Sequence, residues 1–239
     1  MCKIQSKLQQ FFCKDNNETK MKNILSKVQV IFDNGVFPVN YSVVFDIVKI
    51  LADNINYRNN KALLDNEINE DISNDLFYKL QFYANEVELK TNITIELGKH
   101  PVLSNIWNAE RQIDTLRLFS DEEKNWTEDK LNHYYDLYLP MGLTVINNGY
   151  HSINAGIIKG IGSLCFSPND QNRKIYDLSP LYEKIVFDGT YYREINTRKI
   201  IKTGESDTNI FEFGCIYEIG RIIHSEAKKG KKIYFPSDY

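Results

Sequence analysis

The segment from Leu143 to Gly162 holds the residues whose types and spacing could do chemistry. An apolar run typical of a strand leads into an Asn-Gly turn at Gly149, and His151 and Ser152 fall where a helix is expected to begin. The first turn of a helix presents amide N–H groups without intrahelical partners and the positive end of the helix dipole. This segment is therefore suited to bind an anion such as phosphate or carboxylate.

The positive field at the helix start also bears on His151. It disfavours a charged imidazole, so we expect a neutral ring that makes one polar contact or acts as an acid or base. A structural interpretation is equally open, in which Ser152 caps the helix and His151 is a hydrogen-bonded scaffold residue. Other kinds of site have less support. The four histidines lack HxH or HxxxH spacing, which predicts no metal site, and no Walker-type loop or GxGxxG motif occurs.

Helical patterns dominate the sequence ahead of this segment. Apolar residues recur at three- and four-residue steps over 24–32, over 43–51 after Pro38, and over 76–87. A strand is predicted at 92–97. The next helix is expected to start at Ser104 or Asn105 and to carry residues up to Leu118, and a solvated loop is expected from 120 to 130.

From Tyr134 onward the pattern changes to short apolar runs separated by turns, which indicates strands. The predicted strands are 134–139, 143–146, 163–166, 174–176, 184–187, 191–195 and 198–201, and the predicted helices are 153–161, stopped at Gly162, and 211–227. The predicted fold class is α+β, with an N-terminal helical region, residues 1–91, packed on a C-terminal mixed-sheet domain, residues 92–239 with a core at about 100–225.

The composition narrows the function class. The chain has 239 residues, 42% of them hydrophobic and 13% aromatic, which is enough to bury a core and argues against disorder or a disulfide-dependent miniprotein. The net charge of −3 argues against a protein that coats nucleic acid, but it divides into −5 up to Pro140 and +2 after it, so an anion is favoured in the second part. No signal peptide or spanning stretch is evident, which predicts a soluble, cytoplasmic protein with free thiols and no membrane partner.

The turn at Gly149-Tyr150-His151-Ser152 resembles the signature of the ParB/sulfiredoxin-like superfamily, in which a strand and a Gly-x-His-Arg turn lead into a helix. In that superfamily the turn binds nucleotide phosphates. The resemblance implies a ParB/sulfiredoxin-like type of C-terminal domain and phosphate contacts from Gly149, His151 and Ser152. Ser152 stands where the superfamily has arginine, so the positive charge must come from elsewhere.

A second resemblance covers about Trp107 to Arg221. It is to a family of uncharacterised bacterial and phage-associated proteins with a Trp-Asn-x-x-Arg element, an Asn-His element, an Asn-Gly-x-His-Ser-Ile turn, an Asp-Leu-Ser-Pro-Leu segment and a Glu-Ile-Gly-Arg helix. That family brings no established reaction. It implies that the matching polar residues meet in one pocket; they are Trp107, Asn108, Arg111, Asn132, His133, His151, Ser152, Asp177, Ser179, Asp188, Glu218 and Arg221.

Together these features predict binding of a phosphate-bearing ligand, a nucleotide or a nucleic-acid end, at Gly149–Ser152. His151 is the catalytic candidate if a reaction occurs, a nucleotide is the one cofactor candidate, and Arg111 or Arg221 would supply the positive charge. The predicted ligand-binding residues are Trp107, Asn108, Arg111, His133, Asn148, Gly149, Ser152, Asp177, Ser179 and Arg221.

Each assignment has a structural alternative. Trp107 is expected in a core more often than on a base-stacking surface, Asp177 could cap a turn, Asp188 could start a hairpin turn, and Glu218 with Arg221 could form an intrahelical ion pair. The rival function is a non-enzymatic interaction module, in a phage-defence setting, whose N-terminal helices bind a protein partner. Direct DNA binding would need a basic surface made of Lys228–Lys232, Arg173, Arg193 and Arg198.

Overall fold

The computed structural model describes residues 2–34, 41–65, 83–120, 125–168, 170–201, 209–233 and 235, with side chains from residue 16 onward. The described residues form an α+β fold with five α-helices and three small sheets. The helices are α1 (Cys2–Asp33), α2 (Val43–Leu64), α3 (Ala109–Leu118), α4 (Tyr150–Lys159) and α5 (Ile210–Lys228). The strands are β1 (Asn85–Glu86), β2 (Ile93–Glu96), β3 (Val102–Leu103), β4 (Tyr134–Leu139), β5 (Leu143–Asn148), β6 (Ser163–Phe166), β7 (Ile175–Asp177), β8 (Ile185–Phe187), β9 (Tyr192–Glu194) and β10 (Ile200–Ile201). None of these helices has the length and apolar character needed to cross a membrane.

A mixed five-stranded sheet in the order β1-β7-β4-β5-β3 is the centre of the fold. The two long strands, β4 and β5, are antiparallel, whereas β7 and β3 add to them in parallel. Both long strands are almost continuously buried because packed structure covers each face of the sheet. Alternate side chains point to opposite faces, so Tyr138 and Val145 enter one core while Tyr135 and Ile146 enter another.

The first core lies between this sheet and three helices. Helices α1 and α2 both pack on α5, and α2 also packs on β3. Polar contacts add to the apolar packing: the Arg58 guanidinium of α2 is 2.6 Å from the Glu212 carboxylate of α5. The N-terminal helices therefore share one core with the last helix. Strand β1, which precedes the predicted domain boundary, pairs with β7 of the central sheet.

The second core lies on the opposite face and positions α4. It contains the β2–β6 pair, α4 and the Trp126 side chain. Residues Ser120 to Lys130 were expected to form a solvated loop, but Trp126 is buried there. That expectation is wrong at this position because the Trp126 indole donates a hydrogen bond to the Ser152 carbonyl at 2.8 Å and closes the core under α4.

Two predicted helices have wrong boundaries. Helix α4 covers 150–159 rather than 153–161, and Gly160 in the left-handed conformation ends it in place of Gly162. Helix α3 begins at Ala109, capped by the Asn108 side chain, which accepts the Arg111 amide hydrogen at 2.8 Å. Ser104 cannot cap that helix because its amide and its hydroxyl are bound elsewhere, to Asn56 and to the Tyr150 carbonyl.

The third predicted helix, 76–87, lies mostly outside the described residues. Its last part is wrong, because Asn85–Glu86 is the strand β1 and the Val87 amide donates to the Ile175 carbonyl of β7. Helical periodicity over a short apolar run does not distinguish a helix from a strand that pairs with a distant partner. The other predicted strands and the last helix agree with the structure to within two residues at each end.

The buried amide of Asn56 joins α2 to the chain that leads into α3. It donates to the Val102 carbonyl at 2.7 Å and accepts the Ser104 amide hydrogen at 3.1 Å. We predict that Asn56→Ala lowers the free energy of unfolding by about 2–3 kcal/mol, because two buried backbone groups lose their partner. Urea unfolding would measure this. Asn23→Ala, at an exposed asparagine on α1, is the control and should cost about 1 kcal/mol or less; equal losses would contradict the prediction.

Candidate functional site

A cleft of about 270 Å³ lies where β5 passes into α4 and where α3 packs on α4. Residues of the Gly149 turn form the floor of the cleft. Helix α3 and Trp107, which precedes the cap residue Asn108, form one wall. None of the described lining residues is acidic. They are Trp107, Arg111, Thr115, Asn132, Asn148, Gly149, Tyr150, His151 and Ser152.

Gly149 is the joint between strand and helix. Its φ of +82° lies in the left-handed region, and a Cβ atom there would overlap the His133 ring, so only glycine fits without strain. Since glycine has no side chain, no hydroxyl or carboxylate caps α4 from this position. The first turn of α4 therefore faces the cleft with the positive end of its dipole and without a competing anionic cap.

His133 lies beneath the turn, and its two ring nitrogens have defined roles. Nδ1 accepts the Asp129 amide hydrogen at 3.0 Å, so the ring hydrogen must be on Nε2. Nε2 is 2.7 Å from the Ser152 Oγ and therefore donates to it. The Ser152 hydroxyl in turn donates to the Gly149 carbonyl at 3.1 Å. His133 is thus a fully hydrogen-bonded scaffold residue and cannot act as a base toward Ser152.

Trp126 completes this scaffold. Its ring stacks on His133 with centroids 5.4 Å apart, and a Cβ at Gly162, whose φ is +88°, would overlap the Trp126 ring. Burial lowers the pKa of His133 from its usual 6.5, against the charges of Asp129 and Glu128, which raise it. The ring therefore stays neutral, as its hydrogen bonds require.

His151 differs from His133 because one of its ring nitrogens is unused. Its Nδ1 is 3.3 Å from Gln112 Oε1. Because an amide oxygen can only accept a hydrogen bond, the ring hydrogen lies on Nδ1. Its Nε2 is buried and has no hydrogen-bond partner in the described part of the chain, and the same holds for the Gln112 Nε2. Burial lowers the pKa of His151, and the positive charge of Arg111 lowers it further. His151 is therefore a neutral ring with a free lone pair beside the cleft.

Arg111 and Trp107 form the outer wall. The Arg111 guanidinium lies over the Trp107 ring, 5.2 Å from its centroid, and within the described ranges it forms no ion pair. Trp107 is 57% exposed, so the core interpretation of this tryptophan is wrong. Its ring meets His151 edge to face at a centroid distance of 5.3 Å. An arginine and an exposed aromatic ring thus stand beside the helix start.

The structure brings together only part of the predicted site. Trp107, Arg111, Asn148, Gly149, His151 and Ser152 line the cleft, Asn108 lies next to it as the α3 cap, and His133 lies beneath it. Asp177 and Ser179 are elsewhere. They line a second, largely apolar cavity of about 640 Å³ at the ends of β4 and β7, where Asp177 caps the Ser179 amide at 2.9 Å.

Arg221 is also away from the cleft. Its guanidinium pairs with Glu218 at 2.6 Å and donates to the carbonyls of Tyr182 and Ile185, which agrees with the structural alternative of an intrahelical pair. Asp188 accepts the Thr190 and Tyr191 amide hydrogens in the β8–β9 hairpin, again as its structural alternative states. Arg111 therefore remains as the arginine at the turn.

The basic surface proposed for DNA binding is incomplete. Arg173 is 7% exposed and its side chain pairs with Asp170 at 2.8 Å and Glu128 at 3.2 Å. Arg193 pairs with Asp188. Both arginines are already neutralised by carboxylates, which leaves little unpaired positive charge for a DNA backbone on this side.

Sequence reasoning did not assign a role to Gln112, and no local signal could have found it. On this helix the apolar Ile113 is 38% exposed, whereas the polar Gln112 is only 3% exposed. The face of α3 that is buried is set by its contact with α4, which is a tertiary feature. Within the described residues no group of three or more His, Cys, Asp or Glu side chains is placed to hold a metal ion.

Comparison with known proteins places the chain in a family but gives no activity. The chain matches a family of unknown function, DUF6710, over residues 6–229, which is nearly its whole length. It belongs to the DUF6710 family. No curated protein and no solved structure matches it. The candidate site of this DUF6710 protein therefore has to be judged on its own geometry.

The neutral His133 makes stability depend on pH. Because its pKa is lowered in the folded state, the unfolded chain binds more protons below pH 6.5, and stability is lost as the pH falls through the folded-state pKa. We predict that His133→Gln in the DUF6710 protein is about 2 kcal/mol less stable at pH 8, from lost buried hydrogen bonds, and shows a flatter decline between pH 7 and pH 5.5.

Urea unfolding at a series of pH values measures both effects. His224→Gln is the control, since burial also lowers the pKa of His224 but its ring forms no hydrogen bond to any described residue. The control should change stability less and keep most of the slope. If His133→Gln keeps the slope of the unaltered protein, the lowered pKa of His133 does not cause the pH dependence.

Proposed function

We propose that this protein binds a phosphate-bearing ligand, a nucleotide or a nucleic-acid end, at the turn Gly149–Ser152. One observation carries the proposal. The uncapped start of α4, an arginine without an acidic partner among the described residues, and a histidine with an unused buried nitrogen adjoin a single cleft. Each feature alone is common, but together they leave positive charge and hydrogen-bonding capacity unused at one place.

The electrostatics favour an anion. Among the described residues that line the cleft there is Arg111 and no carboxylate, and the α4 dipole adds to the positive potential at the amides of the first turn. A phosphate bound there would meet backbone donors from the turn and the guanidinium from the wall. Arginine suits this role because its planar donors match two phosphate oxygens at once.

The same geometry supports a ParB/sulfiredoxin-like type of domain as the finer part of the proposal. A strand of a mixed sheet leads through a left-handed glycine into a helix with histidine in its first turn. The arginine that the superfamily has after this histidine is replaced by Ser152, and Arg111 supplies a charge from α3 instead.

The site is better suited to binding than to covalent catalysis. Ser152 Oγ already accepts a hydrogen from His133 and donates its own to the Gly149 carbonyl, so no base is placed to activate it. Of the described residues that line the cleft, His151 with its lone pair on Nε2 is the best suited to move a proton. If the protein is an enzyme, His151 is its acid–base residue.

We predict that Arg111→Gln weakens binding of adenosine 5′-monophosphate (AMP) about tenfold or more, because a hydrogen bond to a charged group contributes about 1.5–3 kcal/mol. Titration calorimetry at 50 mM salt measures this. Arg117→Gln is the matched control, since Arg117 is exposed on the same helix, pairs with Asp114 and does not line the cleft. It should bind AMP as the unaltered protein does. No AMP binding at millimolar concentration, or equal loss in both variants, would overturn the proposal.

A second candidate function, an interaction module, is favoured by α2. Four apolar side chains on this helix lie seven residues apart and are 45% to 66% exposed; they are Val43, Ile50, Tyr57 and Leu64. A seven-residue apolar repeat is the pattern by which helices pair side by side. A second copy of the chain could supply the partner stripe, because a two-fold interface uses the same surface on both subunits.

We predict for this candidate that the protein is a dimer at about 50 μM and that the Ile50→Lys, Tyr57→Lys double variant is a monomer with an unchanged melting temperature. The reason is that two buried charges would oppose helix pairing, while both positions are exposed in the single chain. Sedimentation equilibrium measures the mass. Ile158→Lys, at an exposed apolar position on α4, is the control. A monomeric unaltered protein would exclude self-pairing through α2.

A further inference from the structure

Trp107 is an exposed aromatic ring at the edge of the cleft. It is 57% exposed, and its ring contacts two other residues of the cleft, Arg111 and His151. We infer that Trp107 is the stacking platform for the base of a nucleoside 5′-phosphate, and that Arg111 couples base binding to phosphate binding. This inference rests on the proposed function and names the ligand class of the same site.

The position of Arg111 explains how phosphate binding would favour base binding. Its guanidinium lies over the Trp107 ring, on a face that a base would use. A charge-assisted, two-oxygen contact with phosphate is stronger than an exposed cation–π contact, so a phosphate at the turn draws the guanidinium off the ring. The face of Trp107 then opens for a base. A nucleoside without phosphate must displace Arg111 with no ion pair in return, and therefore binds poorly.

The size of the cleft suits the phosphate end of a nucleotide. Its volume of about 270 Å³ is below the roughly 300–1,000 Å³ of pockets that enclose drug-sized ligands. The base would therefore lie outside the enclosed volume, on the exposed Trp107 ring. The same chemistry belongs to a free mononucleotide and to the 5′-phosphorylated end of a single strand, and the experiment has to distinguish these two sources.

Binding of AMP, ribose 5-phosphate and adenosine to the full chain tests the inference. We expect AMP to bind at least tenfold tighter than either fragment, and 10 mM inorganic phosphate to tighten adenosine binding several-fold. AMP should quench tryptophan fluorescence, since Trp126 is buried away from solvent and Trp107 is not. Trp107→Leu should bind AMP no better than ribose 5-phosphate, whereas Trp107→Phe should keep most of the difference because it keeps an aromatic face.

The outcomes separate this inference from the proposed function. Equal binding of AMP and ribose 5-phosphate by the unaltered protein would overturn base stacking and leave phosphate binding intact. Absence of binding by all three compounds would overturn both. Unchanged AMP preference in Trp107→Leu, with a melting temperature equal to that of the unaltered protein, would also overturn the role of Trp107.

The source of the ligand is tested with single-stranded tetranucleotides. A 5′-phosphorylated tetranucleotide that binds tighter than AMP supports a nucleic-acid end, and tighter binding of AMP supports a free nucleotide. A tetranucleotide with a 5′-hydroxyl that binds as tightly as the phosphorylated one would overturn the coupling through Arg111.

Discussion

The stacked rings of Trp126 and His133 are the support on which the candidate site depends. One glycine before α4 and one after it, Gly149 and Gly162, leave the space that these rings fill. The rings also bind the same residue of α4, because the Trp126 indole donates to the Ser152 carbonyl and His133 donates to the Ser152 hydroxyl. The first turn of α4 is therefore held from below by two directional hydrogen bonds. Its opposite side, with the amide groups and the dipole, is left to face the cleft.

The two histidines at this turn, His133 and His151, have different roles, as their hydrogen bonds show. His133 uses both ring nitrogens within the protein, so its chemistry is complete in the folded chain. His151 uses one, and its buried Nε2 meets no partner among the described residues. Native structures rarely leave a buried polar atom unpaired without a reason such as a ligand. The structural and functional interpretations of the turn, which looked like alternatives in the sequence, apply to different residues.

Local patterns were enough to predict most of the elements, because alternation and turn residues act over a few positions. Strands β4 and β5 and the start of α4 near His151 follow from such patterns. The composition of the site could not be predicted in the same way. In the sequence, Arg111 and Arg221 were equal candidates for the arginine that Ser152 replaces. The structure distinguishes them, because α3 packs on α4 and brings Arg111 to the cleft, whereas Arg221 pairs with Glu218. Gln112 carried no signal at all, since the buried face of a short polar helix is decided by its neighbours.

Ligand binding at the cleft and helix pairing through α2 are compatible, because the exposed stripe of α2 and the cleft are different surfaces. The outer face of α2 carries the exposed apolar stripe, whereas its inner face carries asparagines that reach the site. Asn56 binds the Ser104 amide, and the Ser104 hydroxyl donates to the Tyr150 carbonyl at the start of α4. Asn154 of α4 donates to Asn60 of α2 at 2.8 Å. Because these contacts are directional and at least partly buried, α2 helps to hold α4 in the position from which its first turn faces the cleft. The N-terminal helices are thus part of the architecture of the cleft, whatever partner their outer surface binds.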